Sequence, residues 1–459
     1  MAFPRTAEPW NILWIMTDEQ RSDSLGCYGS RWAHSPSIDG LASQGVRFDA
    51  AYTPAPLCVP ARTSMVTGLY PSSHGVWSNA EIGAPIGKSL VEEFARAGYE
   101  TASFGKSHYS GHQERHLFST EIDQWYSDAV QPEAYAAPYD EAEYGAVKYE
   151  SPYTNWILAG RFPEDEERTS EWSAVEDALT WLRKRGREER ESPFLLRVSF
   201  NAPHTPVAPP EVWLNRIDPG LIDLPAASDW NPGTWPSWYR HALREYANSD
   251  RLSPAQLRKA QHHYYGAVAF VDSLVGRLLD GLEEAGLRDS TIIAFCSDHG
   301  THLGDFGLLQ KQTFFEPVVT VPLIISIPGS PGSGRSVGTP VSIGQLLPTM
   351  MSLCDIPASG DFEPLGEPLL VGEEEPDHTV VSEYTLGSIG KWGISCSDRL
   401  RMIRHGSWKL CHSLESEEEG LLFDLERDPL EQRNLFYDVA QRGRLSELRR
   451  RGEEVTGGA

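Results

Sequence analysis

The chain has 459 residues, 40% of them hydrophobic and 23% charged, which is enough apolar material for one large core with a smaller appended domain and excludes disorder as the default state. Lys and Arg total 40 against 65 Asp and Glu, a net charge of -25, so nucleic acid and anionic membrane surfaces are repelled at long range and are excluded as partners. A small anionic substrate stays open, because a few cations converging in one pocket outweigh a distant acidic surface.

The first apolar run, Asn11 to Thr17, is short and ends on Asp18, the pattern of a buried strand and not of a signal or membrane segment. Similar runs follow at Tyr99–Phe104, Phe194–Phe200, Thr291–Ser297 and Pro322–Ile327. Several are uniformly apolar, as strands covered on both faces are. The clearest helical pattern between them is Ala255–Ala285, where Ala267, Phe270, Val271, Leu274, Val275, Leu278 and Leu282 form one stripe and Gly286 supplies the stop. This alternation predicts an α/β domain over residues 1–340, with a mostly parallel central sheet flanked by helices. The stretch Gln131–Trp238, rich in Trp, Tyr and Pro, reads as irregular loops over a cleft, where specificity is usually set. Its end, Trp230 to Tyr239, fits either an aromatic platform for a ring-bearing leaving group or plain core filling.

Beyond residue 340 the texture changes. Pro357–Pro376 is rich in Gly, Pro and acids, and Thr379–Tyr384, Leu400–Arg404, Trp408–His412 and Leu421–Leu425 read as short strands with turns between them. They predict a small antiparallel sheet in a C-terminal subdomain, residues 341–459, closed by a basic amphipathic helix over Ala440–Glu454 docked on the surface. The six cysteines, Cys27, Cys58, Cys296, Cys354, Cys396 and Cys411, are scattered without a C-x-x-C pair. With no leader-like run, they point to a reducing, cytoplasmic setting. A homo-oligomer is compatible with the sequence, which specifies no assembly.

Two pairs of ligand-type residues stand at strand ends: Asp18 with Glu19, and Asp298 with His299 ahead of the turn-forming Gly300. Either pair alone reads equally well as a helix or turn cap. Ligands in open α/β sheets gather beyond the carboxyl ends of strands, however, and converged carboxylates repel unless a cation separates them. Oxygen donors with one imidazole suit Ca²⁺, Mg²⁺ or Mn²⁺. Between these pairs lies Cys58-Val59-Pro60-Ala61-Arg62, followed by a helix-like stretch to Thr67-Gly68. An isolated cysteine is most often a small buried side chain. At a helix start beside an arginine, though, its anion is favoured, which marks a nucleophile.

C-x-P-x-R with a trailing Thr-Gly is the motif by which the chain resembles the formylglycine-dependent sulfatases of the alkaline phosphatase-like superfamily. The resemblance continues in family order through Asp18-Glu19-Gln20, Phe104-Gly105-Lys106-Ser107-His108, Ala202-Pro203-His204-Thr205-Pro206, Ser297-Asp298-His299-Gly300 and Gly307 to Lys311. It reaches the C-terminal sheet through Met402–Arg404, Lys409-Leu410 and Leu422–Leu425, and matches least between residues 110 and 190.

The resemblance implies hydrolysis of sulfate esters, small anionic substrates, with Cys58 oxidised to formylglycine by a formylglycine-generating enzyme during maturation. It further implies a divalent metal held by Asp18, Glu19, Asp298, His299 and the residue at 58. Catalysis would be shared by Cys58, Arg62, Lys106, His108, His204 and Lys311: Arg62 and Lys106 hold the nucleophile, Lys311 and His204 contact the sulfuryl oxygens, His204 protonates the leaving oxygen, and His108 deprotonates the second hydroxyl so that sulfate is expelled. Two departures stand out. Glu19 replaces a second Asp, so its reach to the metal differs, and His299 replaces the Asn of many arylsulfatases. A histidine there also occurs in phosphonate monoester and phosphodiester hydrolases of the superfamily, which keeps that activity as the alternative.

Overall fold

The computed structural model describes residues 9–112, 115–124, 145–151, 154–160, 162, 165–187, 192–225, 235–240, 247–330, 332–357, 369, 378–386 and 398–457. The central sheet is built from β1 (Asn11–Asp18), β2 (Val46–Phe48), β3 (Glu100–Gly105), β4 (Thr120–Ile122), β5 (Phe194–Pro203), β6 (Thr291–Ser297), β7 (Leu323–Ser326) and β8 (Arg335–Val337), in the spatial order β8-β2-β7-β6-β1-β5-β3-β4. Within this sheet β7 alone runs against its neighbours β6 and β2, and the remaining pairs are parallel. The mostly parallel sheet expected from the apolar runs is therefore present.

Alternation along β1 shows why those runs are apolar throughout. Ile12, Trp14 and Met16 enter one hydrophobic cluster, while Leu13 and Ile15 enter the other, on the opposite face. Helices α1 (Pro36–Gln44), α3 (Ser170–Arg187) and α4 (Pro254–Glu284) cover the second face, and α2 (Cys58–Thr67) and α5 (Leu346–Leu353) cover the first. A strand sandwiched this way has no solvent side to mark with polar residues. Helix α4 begins with a capping box, Ser253 with Gln256, and Pro254 at its first position. Its buried Asp272 reaches across to accept the backbone N–H groups of Ser37 and Ile38 at 3.1 and 2.8 Å. One helix thus caps the start of another.

The C-terminal strands β9 (Thr379–Thr385), β10 (Arg399–His405), β11 (Trp408–Ser413) and β12 (Gly420–Asp424) form an antiparallel meander, with α6 (Arg442–Val455) packed on it through Leu448. Gly452 of α6 lies against Ile403, where an added Cβ would sit 2.6 Å from its Cδ1. Of Pro357–Pro376 only Pro357 and Leu369 are among the described residues, and Cys396 falls outside them. One expectation needs correction. Within Gln131–Trp238, read as irregular loops, the described residues include the 18-residue helix α3 and a hairpin of Val147–Ser151 with Thr154–Ala159. The apolar face of α3 is made largely of Ala174, Val175, Ala178, Leu179 and Leu182. Small alanines in a charge-rich surround carry little of the signal on which periodicity depends.

Candidate active site

The four adjacent strands β6, β1, β5 and β3 run parallel, so their carboxyl ends open on one edge of the sheet. Asp18 ends β1, Asp298 follows β6, Lys106 follows β3, and His204 follows β5. Residues spread over nearly three hundred positions are therefore delivered to one place, beyond the carboxyl ends where open α/β sheets bind ligands. Tight backbone turns complete the delivery. Gly105 has φ 96°, and a Cβ there would lie 2.0 Å from Ser199 O. At Gly300 a Cβ would lie 2.1 Å from Pro317 O. Glu19, His108, Gln310 and Gln312 have φ of 62°, 47°, 65° and 70°, left-handed values that non-glycine residues adopt at a cost and that cluster at functional sites.

Helix α2 starts at Cys58 and is buried along its whole length. Pro60 falls in its first turn, where no backbone donor is lost, and Gly68 closes it with φ 68°. Thr63, on the same helix, accepts the backbone N–H of Ser110 at 3.0 Å and so ties the segment after His108 to α2. Around the Cys58 sulfur stand Lys311 Nζ at 3.0 Å, His299 Nε2 at 3.2 Å and Asp18 Oδ1 at 3.7 Å, and His108 hydrogen-bonds to it as well. Burial pushes the thiol up, but Lys311, His299 and Lys106 outweigh it and hold the group well below its ordinary range. Burial also lowers His108 to about 4, which leaves a neutral imidazole at neutral pH.

Arg62 lies one turn further along α2, completely buried, with Nε 2.7 Å from Asp298 Oδ2 and Nη2 3.0 Å from Asp18 Oδ2. Its Nη1 donates to Lys106 O and Ser199 Oγ at 3.0 and 2.9 Å. Lys106 Nζ lies 2.6 Å from Asp18 Oδ2 and donates to Asn201 Oδ1 at 2.9 Å. Burial raises Asp298, with Asp18 adding to the rise. Burial and Cys58 raise Asp18 too, but Lys106, His204 and Arg62 reverse the balance and keep it lowered. His299 is lowered by burial and raised by Asp298, the net being a rise to about 9.

The ten residues expected to carry the chemistry meet here, and six of them form two connected groups. Donor atoms of Asp18, Cys58, Asp298 and His299 lie within 4.8 Å of one another, as do those of Asp18, Glu19 and His204. The first group offers two buried carboxylates, already paired on one side with Arg62 and Lys106, an imidazole and the side chain at 58, a donor set that a divalent cation fits. Glu19 is placed differently from the other expected ligands: its Oε1 faces Lys311 Nζ at 2.5 Å and His204 Nε2 at 3.2 Å. The sequence reading passed over Asn201, Ser199 and Thr53, whose Oγ1 donates to Asp298 O at 2.5 Å. Asn201 stands just ahead of Ala202-Pro203-His204 and could have been read from that motif, whereas Ser199 and Thr53 carry no such mark. Trp235, Trp238 and Tyr239 are buried with Leu308, Phe314 and Phe315, which makes them core filling; Trp230 lies outside the described residues.

A family model described as Sulfatase matches residues 10–356. The chain is 30% identical to the choline-sulfatase of Rhizobium meliloti, over 94% of this chain and 83% of that protein. It is 29% identical to the uncharacterized sulfatase YidJ of Escherichia coli, with the same two coverages. Among solved structures, the phosphonate monoester hydrolase of Agrobacterium radiobacter superposes with a TM-score of 0.76 at 24% identity, covering 96% of each chain. At that identity the likeness establishes the fold alone.

Proposed function

The chain belongs to the sulfatase family and is a sulfuric ester hydrolase, and from that premise we propose that it cleaves small sulfate esters with Cys58 as formylglycine and a divalent cation, Ca²⁺ in first place, between Asp18, Asp298, His299 and residue 58. The observation that carries this reading is the surround of the Cys58 side chain: a buried position at a helix start, with Lys311, His299 and His108 all directed at the sulfur. An anionic ester needs its charge neutralised where the nucleophile meets sulfur, and this is where the cations converge.

Formylglycine hydrate would supply one hydroxyl as nucleophile and a second whose deprotonation expels sulfate, and the cation would neutralise charge on the sulfuryl group. The protein's own groups divide the remaining tasks. Arg62 and Lys106 hold Asp18 and Asp298 in register around residue 58. Lys311 binds a sulfuryl oxygen, and His204 gives its proton to the leaving oxygen. His108, neutral and within hydrogen-bond reach of residue 58, takes the proton of the second hydroxyl. Maturation requires a formylglycine-generating enzyme, and the free state of Cys27, Cys296, Cys354 and Cys411 supports a reducing compartment.

Mass analysis of the peptide containing residue 58, joined to turnover of 4-nitrophenyl sulfate by wild type and Cys58→Ala, tests the reading. A formyl group and complete loss of turnover in the variant are expected. Undiminished turnover in Cys58→Ala rejects the nucleophile. His299 also suits phosphoryl transfer, and a higher kcat/KM on an aryl phosphonate monoester than on the aryl sulfate would move the activity to that class.

A further inference from the structure

Glu19 stands where the resemblance places a second metal ligand, yet the structure gives it other partners. Its carboxylate, 2% exposed, presents Oε1 to Lys311 Nζ at 2.5 Å and to His204 Nε2 at 3.2 Å, while Asp18, Cys58, Asp298 and His299 converge as a group that does not include it, and Glu19 is grouped instead with Asp18 and His204. We propose that Glu19 is a positioning residue for the leaving-group side of the reaction, holding His204 and Lys311 in place, and is dispensable for holding the cation. The proposal rests on the sulfatase reading above.

The backbone supports it. Glu19 is locked at φ 62°, with its N–H donated to Asp298 Oδ1 at 3.3 Å and its carbonyl accepting from Tyr264 Oη at 2.8 Å. The next two residues are pinned by Gln20 N to Ser297 Oγ at 3.0 Å and Arg21 N to Tyr264 Oη at 2.9 Å. With the main chain clamped on both sides, the side chain has few directions open to it, and the one taken leads to His204 and Lys311.

His204 shows what the carboxylate does. Its Nδ1 faces the carbonyl of Thr205 and its Nε2 faces Glu19. Both ring nitrogens therefore lie against oxygen atoms, which fixes the direction of the ring. In the proposed reaction His204 gives a proton to the oxygen of the leaving group, and Glu19 fixes the edge of the ring beside it. Lys311, on the same carboxylate and 3.0 Å from Cys58 Sγ, is kept at the sulfuryl oxygens. Shortening or neutralising Glu19 should then matter most for leaving groups that need a proton.

The test compares wild type, Glu19→Gln and His204→Ala on a series running from 4-nitrophenyl sulfate to a simple alkyl sulfate, with calcium content per chain measured by elemental analysis of each protein. Glu19→Gln should keep wild-type calcium content and lose about 10- to 100-fold more kcat on the alkyl ester than on the nitrophenyl ester, within the range general acid catalysis contributes. His204→Ala should show the same steepening. Loss of calcium from Glu19→Gln, or an equal loss of kcat on every ester, overturns the proposal. A wild type that hydrolyses none of the esters overturns the sulfatase reading, and calcium content still decides separately whether Glu19 holds the cation.

Discussion

Lys311 Nζ meets Cys58 Sγ at 3.0 Å across 253 residues of chain, and the C-terminal sheet shares in holding it there. The segment around Lys311 has Gln310 and Gln312 at positive φ, a conformation that needs outside support. Tyr384 of β9 donates its hydroxyl to Gln312 O at 2.5 Å, Lys409 of β11 donates to Phe314 O at 2.8 Å, and Phe314 N donates to Tyr239 Oη at 2.7 Å. The small sheet thereby reaches the chemistry without contributing a group to it.

Tyr384→Phe removes one of these bonds and leaves the packing of the ring. We expect a fall in kcat/KM for a sulfate ester of roughly 5- to 10-fold, the equivalent of about 1 kcal/mol for one hydrogen bond, with little change in the thermal midpoint. Steady-state kinetics beside a melting curve separate the two, and an unchanged kcat/KM shows that the remaining bonds suffice.

Asp18 and Asp298 are held apart from water by Arg62 and, for Asp18, Lys106. A cation joining the same carboxylates stabilises the folded state by about 2.7 kcal/mol when present at a hundred times its dissociation constant. Chelation should lower the thermal midpoint and added Ca²⁺ or Mn²⁺ should restore it. Arg62→Ala, which removes one partner of a buried charge network, should cost about 3–5 kcal/mol, and a midpoint indifferent to both treatments would contradict this account.

Gly105→Ala places a Cβ 2.0 Å from the Ser199 carbonyl at φ 96°. Because Ser199 O also accepts the N–H of Lys106 at 2.8 Å, the neighbouring strand cannot retreat without releasing Lys106. The variant should be destabilised by more than about 3 kcal/mol, the range of severe core strain, and chemical denaturation compared with wild type reads it directly.

Burial lowers His74 to about 3 and His263, His302 and His412 to about 4, from an ordinary 6.5. Folded values depressed below the unfolded one mean that the unfolded chain takes up protons first as pH falls. The stability these groups confer is complete above pH 6.5 and is lost from there toward pH 4, at about 1.4 kcal/mol per pH unit for each group. Asp272, raised to about 6 by burial, acts in the opposite sense and offsets part of the loss. Thermal midpoints should therefore fall between pH 6.5 and 4.5, and His263→Phe should flatten the slope; a midpoint constant over that interval refutes the assignment.

The strands bearing the site were legible because each is an apolar run closed by a chemically loaded turn, as in Asn11–Asp18 and Thr291–Ser297. Helix α3 was not, because alanines make much of its buried face, and neither were β2 and β8, three residues each and thus shorter than any periodicity. The residue types at Asp18, Cys58, Arg62, Lys106, Asp298 and His299 announced charge and a nucleophile, but not who would face whom.

Composition, apolar runs and the motif around Cys58 determine the layered fold and the kind of chemistry, since burial and residue type act locally along the chain. Only the tertiary structure decides that Arg62 bridges Asp18 and Asp298, that Lys311 is held from the C-terminal sheet, and that Glu19 faces His204 and Lys311. Those relations depend on strand order and on backbone angles at single residues, and a carboxylate's partner is set by distances of a few ångströms that no spacing in sequence encodes.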